Sequence, residues 1–115
     1  MRVLSKQDWD FWNENGYVVV HNAVPQANLD ATVDAIWEFL EIDCDNPEDW
    51  YRYKPYTHAN KCSPISAAGM VEIYQHQTLW DNRQYPKVHQ AFSEIWGTEE
   101  LWVSLDRANM KPPAR

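Results

Sequence analysis

The stretch Trp102-Val103-Ser104-Leu105-Asp106-Arg107-Ala108-Asn109-Met110-Lys111-Pro112-Pro113 decides the fold. Its residues alternate in type with period two, so it reads as a strand running from Leu101 to Met110. The odd positions are Leu101, Val103 and Leu105, then Arg107, Asn109 and Lys111. One face is therefore apolar in its first half and polar in its second. Such a strand either leaves a packed core to enter a polar pocket or runs out into solvent, and periodicity does not choose between them. Pro112 and Pro113 end it, because neither can donate to a ladder.

Upstream of this strand, Pro86 opens a helix with Val88, Phe92, Ile95 and Trp96 on one face and Gly97 just beyond it. Gln77 to Asn82 reads as a short helical turn. Val71 to Gln75 reads as a strand or extended segment. At the other end of the chain, Ser5 and Asp8 have the spacing of a capping box, and Leu4 and Trp9 stand where a hydrophobic staple would be. Trp9 and Trp12 share a face, and Gly16 can close this helix in a left-handed conformation. Tyr17 to Val20 is a short β-branched strand, apolar on both faces and so expected to be buried. Pro25 opens the next helix, whose Leu29, Val33, Ile36, Trp37 and Leu40 mark one core face.

Residues 43–69 form an irregular middle. Asp43, Asp45, Asn46 and Asp49 suggest a calcium loop, but the glycine and glutamate that such a loop needs are missing. Tyr51, Tyr53, Pro55 and Tyr56 either line a ligand groove or cover a core. Ser63-Pro64 and Ala67-Ala68-Gly69 read as turns. His58 and Cys62 could share a helical face, yet two ligands do not make a zinc site.

The chain has 115 residues, enough for one domain with one modest core. Seven Trp, six Tyr and three Phe fit a folded protein rather than a disordered one. A net charge of −7 with no basic stripe argues against nucleic acid as a partner. No run of about 18 apolar residues offers a membrane span, and residues 1–20 lack the pattern of a signal peptide. Cys44 and Cys62 are then expected to be reduced thiols in a cytoplasm. No G-x-S-x-G elbow or phosphate-cradling loop can be built from three glycines so placed.

Trp80-Asp81-Asn82-Arg83-Gln84, Ile95-Trp96-Gly97-Thr98 and Leu101 to Pro113, with Gly16-Tyr17-Val18-Val19-Val20 near the start, resemble the first half of phytanoyl-CoA dioxygenase family proteins. The most specific parts are Gln77 to Gln84 and Trp102 to Pro113. The resemblance implies an α+β fold over residues 1–115, with helices packed on a few strands of an incomplete double-stranded β-helix (jelly-roll) barrel. About three strand candidates stand here where a jelly roll has about eight. It implies, for the complete protein, an Fe(II)/2-oxoglutarate-dependent oxygenase that hydroxylates a small organic substrate.

Such an oxygenase holds iron with two His and one carboxylate. The family supplies the first two ligands as His-x-Asp shortly after the Pro-Pro pair, beyond Arg115. None of His21, His58, His76 and His89 has a carboxylate two residues on. The resemblance therefore assigns no catalytic residue and no metal ligand to this chain, which alone is expected to be inactive. By position it places Arg107 and Asn109 at the cosubstrate pocket, with Lys111, Tyr74 and His76 on the substrate side. Arg107 suits a carboxylate, which it can grip in a fork; an ion pair with Asp106, Glu72 or Asp81 is the equal alternative. The arginine that usually anchors 2-oxoglutarate in the family follows the metal ligands, so Arg107 is not that residue. Open sheet edges would call for the missing carboxy-terminal half or for self-association. A second reading is a non-catalytic binding module derived from the family. A third is a carbohydrate-binding module, suggested only by the aromatic count, against which core packing is the stronger explanation.

Overall fold

The computed structural model describes residues 2–51 and 70–114. Tyr53, Pro55, Tyr56, His58, Cys62 and the turns at 63–64 and 67–69 lie outside the described residues.

Helix ends follow local chemistry. In α1 (Lys6–Asn15) the Asp8 N–H donates to Ser5 Oγ at 3.2 Å and the Ser5 N–H donates to Asp8 Oδ2 at 2.8 Å. This reciprocal box satisfies two otherwise orphaned donors. Gly16 ends the helix at φ 77°, a conformation that glycine enters without steric cost. Pro25 is the N-cap of α2 (Gln26–Leu40), just outside the helix. α3 (Gln77–Arg83) leads through Gln84 and Tyr85 into α4 (Pro86–Trp96), which starts on its proline and closes at Gly97.

Between α2 and the first strand, a short 3-10 turn spans Pro47–Tyr51. Its acidic residues serve the loop's own backbone. The buried Asp49 carboxylate accepts the Asp43 N–H at 2.7 Å, and Asp43 accepts the Asp45 N–H at 2.9 Å. Buried carboxylates need such donors. The Trp50 indole donates to the Cys44 carbonyl at 3.1 Å.

Two strands pair antiparallel, β1 (Met70–Val71) and β2 (Ala108–Asn109), with Met70 opposite Asn109 and Val71 opposite Ala108. The core lies beneath this ladder. Leu40, Ile42, Val71 and Ile73 are buried, and Ile36, Trp37, Trp50, Leu79 and Met110 pack against them. The Trp37 and Trp50 rings sit 6.3 Å apart. α2 meets α3 along this core, and Asn82 Nδ2 donates across the contact to Thr32 Oγ1 at 2.9 Å. The amino-terminal segment is tied to α4, whose Glu94 carboxylate accepts the N–H groups of Val3 at 2.6 Å and Leu4 at 2.9 Å.

Four sequence expectations need correction. The strand expected over Leu101–Met110 pairs only at Ala108–Asn109; among the described residues no second strand runs beside residues 101–107. Tyr17–Val20 is not buried on both faces, because Val18 and Val20 are half-covered while Tyr17 and Val19 are exposed. On α4, Phe92 is 54% and Trp96 70% exposed, so neither is a core residue. On α2 the core face holds only in the carboxy-terminal half; Leu29 and Val33 are exposed. The apolar period located both stripes, but no described element covers Phe92 and Trp96 on α4 or Leu29 and Val33 on α2. The Cα radius of gyration is 17.2 Å, against about 13 Å for a compact domain of this length.

Candidate functional site

The residues that β1 and β2 bring together form a closed polar cluster. Alternation after Met70 sends Val71 and Ile73 into the core and turns Glu72 and Tyr74 to the opposite side. Across the ladder, Ala108 and Met110 face the core, which leaves Arg107 on the side of Glu72. Arg107 Nη1 donates to Glu72 Oε1 at 2.7 Å and to the Tyr74 hydroxyl at 3.0 Å. The Tyr74 hydroxyl in turn donates to the other Glu72 oxygen. The guanidinium also lies over the Tyr74 ring, 5.8 Å from its centroid, a favourable placement for a cation.

Two further contacts brace the cluster. Asp106 accepts the Arg107 backbone N–H at 2.7 Å, and its carboxylate stands 3.8 Å from Nε. Arg83, at the end of α3, donates to the Tyr74 carbonyl at 3.0 Å and to the Asp106 carbonyl. One cation thus ties the β1 segment to the β2 approach. The sequence marked Arg83 only as part of the Trp80–Gln84 resemblance and gave it no role, because its partners are carbonyls set by tertiary register.

Of the five site residues expected from sequence, the structure joins two. Tyr74 and Arg107 meet directly, and Glu72, one of three foreseen ion-pair partners, completes the ring. Asn109 lies in β2 with an exposed side chain, and Lys111 is exposed beyond it. His76 instead caps α3, its Nδ1 accepting the Thr78 N–H at 3.2 Å. Histidine is not among the preferred capping residues, so that role had no sequence signal.

The electrostatics follow from the ring. The hydrogen bond from Tyr74 lowers the Glu72 pKa; burial opposes this, and Arg107 adds to the lowering. The same hydrogen bond raises the Tyr74 pKa, with burial acting in the same direction. Contact with Glu72 raises that of Arg107. All three groups are thereby held in one charge state, which suits anchoring and binding and does not suit proton transfer.

A facial iron triad is not available from these side chains. Among the described residues, the group of three potential metal ligands within reach of one another is Asp43, Cys44 and Asp45, all exposed and without an imidazole. That set does not fit two His and a carboxylate, and no reaction step is assigned to it.

A second feature stands on the far side of α4. Val88, Phe92 and Trp96 form a ridge between two apolar grooves. One, of about 610 Å³, runs between the ridge and Trp12, Val18 and Val20. The other, of about 470 Å³, runs between the ridge and Leu101, Trp102 and Val103.

No family model matches the chain, and no solved structure matches it at a significant level. It is 28% identical to "Ava biosynthesis cluster protein O" of Aspergillus versicolor, over 94% of this chain and 35% of that protein. It is 26% identical to a Dictyostelium discoideum protein named "Putative phytanoyl-CoA dioxygenase", over 87% of this chain and 30% of that protein. The chain spans about a third of the length of these relatives.

Proposed function

We propose that this chain is the amino-terminal portion of a phytanoyl-CoA dioxygenase-like oxygenase, a cytoplasmic enzyme that hydroxylates a small organic substrate with Fe(II), O₂ and 2-oxoglutarate. The observation that carries the reading is the likeness to the Dictyostelium protein over 87% of the chain. The motifs Gln77–Gln84 and Trp102–Pro113 point the same way. In this reading β1, β2 and the extended residues 101–107 are the first strands of a jelly roll whose iron ligands lie outside this chain.

The part these residues play is binding and positioning. Arg107 and Asn109 border the cosubstrate pocket, and Lys111, Tyr74 and His76 its substrate side. The Glu72–Tyr74–Arg107 ring fixes the guanidinium, which is one-third exposed and keeps Nη2 for an incoming carboxylate. A guanidinium held in place beforehand loses little freedom on binding.

The test is the reading frame past Arg115. A His-x-Asp within a few tens of codons, in a polypeptide that binds Mn(II) more tightly with 2-oxoglutarate, supports the enzyme. A stop codon directly after Arg115 sinks it. That result would favour a binding module derived from the family, a reading to which the exposed Phe92, Trp96 and Trp102 lend some weight.

A further inference from the structure

Two segments flank the α4 ridge, and among the described residues neither has a ladder partner. Among the described residues, the backbone of Tyr17–Val20 makes no backbone hydrogen bond, and neither does that of residues 101–105. Tyr17–Val20 is nonetheless held in place. Gly16 fixes its start, and Lys87 of α4 fixes its end by donating to the His21 and Asn22 carbonyls, both at 3.0 Å. Val18 and Val20 line the groove while Tyr17 and Val19 are exposed, the side-to-side alternation of a strand-like segment. A strand held open in this way is a template for another strand.

We infer that Tyr17–Val20 is a docking edge for an extended apolar segment of the same polypeptide, supplied from beyond residue 115 and seated against Phe92 and Trp96. The inference rests on the proposed function, since it takes this chain as part of a longer one. The docked strand pairs its N–H and C=O groups with those of Val18–Val20. Its alternate side chains, apolar ones, enter the groove of about 610 Å³. The relatives run to about three times the length aligned here, so a protein of their size has polypeptide to supply. A second copy is the poorer occupant, because each copy carries a charge of −7, and like charge opposes association.

Hydrogen exchange on the full-length polypeptide tests the inference. The amides of Val18, Val19 and Val20 should exchange at least ~100-fold more slowly than in an unstructured chain. Phe92→Asp should cut that protection about tenfold or more, while the α3 amides stay protected and report an intact fold. Full-rate exchange at Val18–Val20 in the full-length monomer overturns the inference. So does the same protection in residues 1–115 alone, which would make a segment of this chain the occupant. So does protection that appears only with concentration-dependent dimerisation, which would make a second copy the occupant, and so does a frame that ends at Arg115. Protected amides in a polypeptide that lacks His-x-Asp would leave the docking edge standing and remove the oxygenase. Free amides in one that has the motif would do the reverse.

Discussion

Glu72 and Arg107 lie 35 positions apart in sequence and meet at 2.7 Å, closed into a ring by the Tyr74 hydroxyl. The hydrogen bond from Tyr74, with Arg107 beside it, holds the folded Glu72 carboxyl below the ordinary glutamate range. A lowered carboxyl contributes stability that is present above its unfolded pKa and is lost as pH falls through the folded one. Thermal melts taken downward through the carboxylate range should show this loss in the native sequence. Glu72→Gln should remove that portion of the acid dependence and lower the melting temperature at neutral pH. An acid profile unchanged by the substitution would show that the ring does not couple to folding.

Glu94 makes a parallel case at the amino terminus. Burial pushes its carboxyl up, but the Leu4 and Val3 N–H donors, with Gln90 and Arg2, outweigh this and leave the pKa lowered. The clasp is therefore complete above the unfolded value and opens as pH falls through the folded one. Exchange of the Val3 and Leu4 amides should accelerate relative to intrinsic rates over that interval. Glu94→Gln should produce the open state at neutral pH.

The tryptophans should divide by location. Trp37→Ala, which removes a ring packed on Leu40 and Trp50, should cost about 3 kcal/mol. Trp96→Ala in the 115-residue chain should cost no more than about 0.5 kcal/mol, since the side chain faces solvent. Urea unfolding of both variants checks this, and equal losses would place Trp96 in a core.

Metal titration separates this chain from its proposed parent. Mn(II) should find no micromolar site on residues 1–115, with or without 2-oxoglutarate. Tight binding enhanced by 2-oxoglutarate would mean that the chain carries a triad of its own.

Features set by neighbours in sequence are legible in the sequence itself. The Ser5–Asp8 box, Gly16, Pro86 and Gly97 each depend on residues within one turn, and all four appear. Phe92 and Trp96 show the limit. A 3.6-residue period tells which side of a helix is apolar, yet it is silent on whether anything rests there. Arg107 shows another. The sequence offered Asp106, Glu72 and Asp81 as partners, and the Met70–Asn109 register chose Glu72 while keeping Asp106 near. Arg83 and His76 bond to backbone groups, which every residue carries, so no side-chain pattern announced them.

The indole of Trp102 has the full solvent exposure of an isolated side chain. Such a ring fluoresces from water, where emission is red-shifted and soluble quenchers collide freely. It stands at the margin of the groove bounded by Leu101 and Val103. Whatever closes over that margin must take the ring out of water. Against a Trp102→Phe chain, which subtracts the other six tryptophans, a blue shift with loss of quencher access would time the closure in an unlabelled protein.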